Sequence, residues 1–525
     1  KIYDKPVLYF PYFFHPDPTV KRQSGFLMPT FQNSNNSGSS LQIPYYKVIS
    51  DNKDMTFYPR LFFDNEILVQ SEYRQANKNS DLIFDFSVNH DSSDTRNHFF
   101  ADFKSIKQNK FLDIHLETVS NDTYLKANNI NSPIISNYSS LHSFINYSTL
   151  NDDSSFEISF EIFENLDKKK TDRYEYIFPN FIYEKNLSGF KEVEGELTLK
   201  THGYNKNYDT NTDETVLIND LKYTSFYSTD SLINGFQNNY EFLIKNLNSS
   251  SHNSSRYNNG EDYKLLSAIK FNSNYPLKKE NEKYENYFTP KISLKYSPNE
   301  TKNNTDLNKR LVYEDIFLID RVDSSGVEGG ESLTMGIEYS SKNKLTQSQI
   351  NFSLASILRL NENPDLPIMN GLSEKRSDFI GKLNFVPSEF FDLNYKFSYD
   401  KDFKDSSYDS IKANLKINNF ITSFEFVEED NHMNDSSYII NKTKYKFNNN
   451  YSLNFATSKN LDKNITDYYN LIYEYENDCL TAAIEYNKSY YSDGSLKPDE
   501  NILFSIKIIP FGKINTPSLS KWKKY

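Results

Sequence analysis

Cysteine is almost absent. The 525 residues hold one, Cys479, so no disulfide can form within them. Tryptophan is equally scarce, with a single residue, and hydrophobic residues make up only 37%. No apolar run reaches the ~20 residues that a membrane-spanning helix requires. The longest lies near residues 7–14, and a helical membrane protein is thereby excluded. Basic residues are not in excess: Lys and Arg number 59 against 71 Asp and Glu. The resulting charge of -12 argues against nucleic acid as a partner. The chain opens at Lys1 without a signal-like charged and apolar region, so a targeting peptide is expected to have been removed or to lie outside this sequence.

What the chain does have is aromatic rings, 40 Tyr and 41 Phe, which disordered chains lack because they cannot bury them. From residue 54 onward, about ten residues of alternating apolar and polar character recur between connections rich in Asn, Asp, Ser and Lys. Residues 111–118 set Leu112, Ile114 and Leu116 against Asp113, His115 and Glu117. Residues 156–163 set Phe156, Ile158, Phe160 and Ile162 against Glu157, Ser159 and Glu161. The same alternation marks 294–296, 391–397, 411–417, 424–426, 451–455 and 480–486. Period two with one wet face means antiparallel strands.

At about one strand per twenty residues, the predicted fold class is all-β, a large transmembrane antiparallel β-barrel of about 26 strands. A soluble sandwich of this length divides into domains joined by linkers, and no clean linker occurs. The barrel also accounts for the mean hydropathy of -0.72, because only alternate strand residues meet lipid while lumen and loops stay polar. Residues 21–512 are assigned to the barrel, 1–20 to what precedes it, and 513–525, with Trp522 among Lys521, Lys523 and Lys524, to a tail. Polar insertions at 167–172, 246–262 and 299–308 are expected at the outer face. The tight connection at Asn418 and Asn419 is expected at the periplasmic face.

Signatures of catalysis are weak. The histidines show no metal-ligand spacing, and neither a G-x-S-x-G elbow nor a phosphate-binding loop occurs. His115, between Asp113 and Glu117, reads as part of a polar lumen wall. GVEGGE at 326–331 lacks the lysine of a nucleotide loop and reads as the lead-in to a strand at 333–339. Asp400, Asp402 and Asp405 lack the Gly and Glu of a calcium loop and read as a solvated turn. No enzyme activity, cofactor or metal is expected.

Two strand-like stretches, 25–31 from Gly25 to Phe31 and 40–49, each carry a proline near the middle, Pro29 and Pro44. Proline gives no N–H to a ladder and is confined to edges, strand starts and bulges. The terminal strand expected at 502–511, with Phe504 inside it and Pro510 at its end, should close the barrel against 25–31. The seam is therefore predicted to be weak.

KPVLYFPYFFHPDPTVKRQSGFLMPTF, residues 5–31, resembles the junction in the LptD (OstA/Imp) lipopolysaccharide-assembly family where the last strand of a periplasmic jelly roll runs into the first barrel strand. LQIPYYKVISDNKDMTFYPRLF at 41–62, EDIFLIDRVDSSGVEGGESLTMGIEY at 314–339 and GLSEKRSDFIGKLNFVPSEFFDLNYKFSYDKDF at 371–403 are similar to further family blocks in the same order. The resemblance implies an outer-membrane translocon of a Gram-negative cell that inserts lipopolysaccharide into the outer leaflet. On this resemblance sugars are expected to pass through a polar lumen and acyl chains through a lateral gate, here Gly25, Pro29, Phe31, Pro44, Phe504 and Pro510. It implies four partners: lipopolysaccharide, membrane lipid, an LptE-like plug lipoprotein, and a periplasmic LptA-like bridge received by an N-terminal domain of which only the end is expected here. YENDCLTAAIEY at 475–486 resembles a late periplasmic segment whose cysteines pair with that domain. A disulfide of Cys479 to a residue outside this sequence and a free thiol are the two readings. The competing function classes are a large porin, a receptor-type transporter, which needs a plug domain, and a soluble adhesin, which needs no detergent.

Overall fold

The computed structural model describes residues 22–508, apart from 28, 35–36, 64–65, 91–94, 136, 169–171, 188–193, 229–234, 306–308, 324, 430–435, 463–464, 478–479 and 490–499. Its 29 strand segments form one antiparallel sheet. Three barrel strands are each split into two segments, Gly25–Phe26 with Thr30–Ser34, Gly38–Gln42 with Tyr45–Ser50, and Gly260–Asn274 with Leu277–Glu280, which leaves 26 strands. A proline sits at each break, Pro29, Pro44 and Pro276, as the missing ladder donor requires. Each strand pairs with its sequence neighbours, and Thr30–Ser34 pairs with Glu500–Ile508 to close the barrel.

Closure follows from the alternation. Residues directly opposite on neighbouring strands share a face, so registers carry one face around the whole circle. Leu112, Ile145 and Phe160 lie on the outer, lipid-facing side; Asp113, His115, Asn146 and Glu161 lie on the inner side. The even strand number puts the start of the first strand and the finish of the last at one end of the barrel. That end has the tight turns: Gln108 at φ 55° joins Thr95–Lys107 to Lys110–Val119, and Asn418 at φ 48° joins Ser406–Ile417 to Phe420–Glu429. The left-handed backbone these two-residue turns demand is one that Asn tolerates. The long connections, 120–139, 298–329 and 360–378, all lie at the opposite end.

Three expectations need correction. The stretches 25–31 and 40–49 are broken strands rather than continuous ones. The insertion drawn at 246–262 is only 253–259, because Gln237–His252 continues as strand through its polar half. There Asn246, on the lipid side, accepts from Asn248 at 2.7 Å and from Asn219 of the next strand at 3.4 Å, so these amides supply one another's partners. The terminal strand begins two residues earlier than expected, at Glu500, and is described to Ile508; residues 509–511, Pro510 among them, lie outside the described residues, as do Cys479, residues 1–20 and the tail. The strand expected at 333–339 is present as Gly330–Asn343, which begins within the last two residues of GVEGGE.

Gly381 shows how tightly the lipid side packs: a Cβ there would run into the ring of Phe397, its cross-strand partner. Gly381→Val should cost about 1–3 kcal/mol by overpacking. The check is the temperature at which the fast-running folded band disappears on denaturing gels. An unchanged temperature would show that the ring yields freely.

Candidate functional site: the closing seam and the occupied lumen

The closing ladder is short. Phe31, Gln32, Asn33 and Ser34 face Phe504, Leu503, Ile502 and Asn501, four pairs among the described residues. On its other side the terminal strand pairs along its whole length with Leu480–Ser489, from Leu480 against Ile508 to Lys488 against Glu500. Residues 505–508 are therefore bonded on that side, while the described residues of the first strand offer them no ladder partner. Among the described residues the registered part of the seam therefore lies toward the end opposite the tight turns.

The first strand is loosened on its inner flank too. Gly25 faces Tyr46 and Phe26 faces Tyr45, but Thr30 faces Gln42, so the register slips by one residue between the two segments, the count of a β-bulge. Pro44 gives no donor, yet its carbonyl accepts from Leu27 N–H at 2.8 Å. Pro44 is buried and Pro29 exposed. Phe31 and Phe504, each 42% exposed, stand opposite each other on the lipid side of the seam. Of the predicted gate residues, Gly25, Pro29, Phe31, Pro44 and Phe504 are thus at or beside the short ladder, and Pro510 lies outside the described residues.

Two connections missed by sequence reasoning fold inward. Residues 120–139 carry the short helix Tyr124–Ala127 and pack Tyr124, Leu125, Ile130, Ile134 and Ile135 against the lumen-facing Phe62, Leu68 and Phe100. Residues 298–329 bring Leu311, Tyr313, Ile316, Ile319, Val322 and Val327 onto the inner faces of Leu243, Ala268, Ala355, Ile357 and Ile380. The insertion expected at 299–308 is thus the start of a far longer segment that turns into the lumen. The available signal was these isoleucines and leucines, too many for a solvated loop.

Each inserted segment is fastened by a buried polar cluster. Under the first, Ser87 Oγ lies 2.6 Å from both Tyr124 OH and His98 Nδ1, and His98 Nε2 lies 3.3 Å from Asp85. Gln70 donates to both Asp85 oxygens at 3.0 Å and to the Asn131 carbonyl at 2.9 Å. The Ser–His–Asp order is that of a hydrolase triad, but all three side chains are buried and Tyr124 takes the other side of the hydroxyl. The group holds the segment down. His115, 3.0 Å from Glu117 and stacked on Phe144, is likewise part of the wall.

Under the second, Arg321 makes a two-pronged pair with Glu328 at 2.8 and 2.9 Å and donates to Ser332 and Thr334 of the wall at 2.9 and 2.8 Å. Lys295, at 3.2 Å, and Arg359 also reach Glu328. One carboxylate therefore serves three buried cations. Nearby, burial alone pushes the Asp323 carboxyl up, but hydrogen bonds from Ser325 and the charges of Lys302 and Arg256 outweigh it and hold the group below its usual range. Among the described residues, no three His, Cys, Asp or Glu side chains converge as metal ligands. Asp400 instead caps its own turn, accepting from the backbone N–H of Asp402 and Lys404.

Removing the shared carboxylate by Glu328→Ala leaves those cations unpaired in the lumen, a change worth about 3–5 kcal/mol. Residues 298–329 should then become the fastest site of limited proteolysis from the loop end. Cleavage at the parent rate would mean that the apolar contacts alone hold the segment.

A family model described as LPS transport system D matches residues 95–427, well over half of the chain. The LPS-assembly protein LptD of Pseudomonas entomophila (strain L48) is 40% identical over 96 residues, and that of Pseudomonas savastanoi pv. phaseolicola is 38% identical over the same length. Each match covers 18% of this chain and 10% of the relative's own length. Among solved structures, the alcaligin outer membrane receptor FauA from Bordetella pertussis aligns over 93% of this chain and 76% of its own, with TM-score 0.32 and 9% identity. The siderophore receptor PirA from Pseudomonas aeruginosa aligns over 94% and 81%, with TM-score 0.31 and 8% identity.

Proposed function

Since this chain belongs to the LptD family, LPS transport system D, we propose that its barrel is the exit through which lipopolysaccharide reaches the outer leaflet, with the four-pair seam as a lateral gate. The chain is an outer-membrane barrel of a Gram-negative bacterium, and its family is one of transport rather than catalysis.

The cargo combines a large sugar–phosphate part with several acyl chains, and no single environment suits both. A lumen walled by Asp, Glu, Asn and Lys suits the sugars. The acyl chains need lipid at every stage, so they must leave through the wall, and a closed wall parts where its ladder is weakest. Each backbone hydrogen bond contributes about 1 kcal/mol net in water, and more where no water competes. The observation that carries the reading is the seam itself, four registered pairs against nine between its last strand and the neighbour on the other side. Opening there breaks the fewest bonds. In the same reading a plug lipoprotein of the LptE kind fills the lumen from the periplasmic end. A bridge of the LptA kind delivers the cargo to a domain preceding residue 21.

Pro29 and Pro44 withhold donors on either side of the bulge. Replacing both with alanine should tighten this corner and reduce delivery of lipopolysaccharide to the cell surface severalfold, at unchanged barrel abundance. Undiminished delivery would sink the gate assignment. Photo-crosslinkers at Phe31 and Phe504 should both capture lipopolysaccharide during export, whereas an open diffusion pore predicts capture at neither.

A further inference from the structure

The inner wall is divided by charge. On the eight strands from Lys53–Phe62 to Tyr174–Asn186 the lumen-facing ionisable groups are mainly carboxylates, and most are engaged. Asp54 pairs with Arg22 and Arg74, Glu117 with His115, and Glu161 with His142. Half the circumference away by strand count, the five strands from Phe379–Ser388 to Ser436–Lys446 face the lumen with seven lysines against Asp392, Glu425 and Glu429.

The registers arrange those lysines in rungs. Lys446 stands at the periplasmic end. Lys444 and Lys416 flank Ile421 one rung higher. Lys442 follows beside Ser423, then Lys412 beside Glu425, then Lys396 and Lys382 directly opposite each other. Successive rungs are two residues apart, roughly 7 Å along the strand, so no step of the climb lacks an ammonium group.

Two features set this ladder apart from ordinary lumen polarity. Like charges placed directly opposite on neighbouring strands destabilise a sheet, yet Lys382 and Lys396 occupy such a pair, relieved by Glu314 of the inserted segment, which accepts from Lys382 at 2.6 Å. Lys396, Lys412, Lys416 and Lys446 are also exposed, and among the described residues Lys396, Lys416 and Lys446 make no ion pair. Every member is lysine. Arginine grips a phosphate through two parallel hydrogen bonds, whereas lysine is a mobile point charge that releases it readily. A series of weak, evenly spaced sites is what passage through a pore requires.

We propose that this lysine ladder is the track along which the phosphate groups of the cargo's saccharide move from the periplasmic to the outer end of the lumen. The proposal rests on the function proposed above. It also accounts for a phosphate-bearing cargo passing a chain of net charge -12, because the negative surplus is turned to the opposite wall.

The test uses the full-length protein, with and without Lys396→Gln, Lys412→Gln, Lys416→Gln and Lys444→Gln combined. The probes are the delipidated oligosaccharide of lipopolysaccharide and the same oligosaccharide after phosphatase treatment. The parent should bind the phosphorylated probe in a salt-sensitive manner and the treated probe about tenfold more weakly. The quadruple variant should bind both equally weakly, while Glu157→Gln on the opposite wall should bind as the parent does. The heat-dependent gel shift controls for folding. Equal binding of the two probes by the parent, or parent-like discrimination by the folded quadruple variant, overturns the track. Lipopolysaccharide delivery in cells is scored separately. A parent that discriminates the probes but delivers nothing counts against the export reading and leaves the ladder standing as a phosphate site.

Discussion

A bilayer offers no water to a backbone N–H or C=O, so every such group inside it must find a partner within the protein. Sheets satisfy this only by closing on themselves, and closure makes one ladder the junction between the two ends of the chain. The rest of the structure is arranged around that junction. Proline breaks are concentrated in the first two strands, where Pro29 and Pro44 remove donors, and the third break, at Pro276, lies midway round the barrel. Among the described residues every other junction of the wall carries six registered pairs or more, so the proposed opening falls where the count is lowest.

The lumen obeys a different constraint. A ring of 26 strands is too wide for the side chains of its own wall to fill. Here chain folded in from the loop end packs into that space. These segments bring apolar residues onto inner-wall positions such as Leu68, Phe100, Leu243 and Ile357, and each is anchored by a buried cluster, one around Ser87 and His98, the other around Glu328. The interior is therefore neither an empty pore nor a uniform core. Lysines stand exposed on one wall, paired carboxylates line the wall opposite, and packed insertions lie across the loop end.

How much of this the sequence discloses depends on the range of the interactions involved. Alternation is local, so strands such as Lys110–Val119 and Ser154–Asn165 are legible from residues 111–118 and 156–163 alone, and the strand number follows from length. Proline chemistry is equally local, which is why Pro29 and Pro44 mark the weak corner. The polar run 246–251 reads as loop because its strand character depends on Asn219 of the neighbouring strand. The inward fold of 298–329 depends on Leu243 and Ile380, far away in the chain, and the lysine rungs appear only once five strands are set in register. The family resemblance reaches further than periodicity because it compares blocks whose spacing already encodes those distant contacts.

The pairing of Phe31 with Phe504 also bears on how the barrel forms. Every other neighbour in the sheet is close in sequence and can zip from a turn, but this pair closes a loop of roughly 470 residues, at an entropic cost on the order of 5 kcal/mol. Four registered pairs return an amount of the same order. Closure is therefore the last step of assembly and a nearly balanced one. The same short ladder that we propose as the gate also leaves the nascent barrel dependent on the surrounding membrane, or on assembly factors, to bring its two ends together.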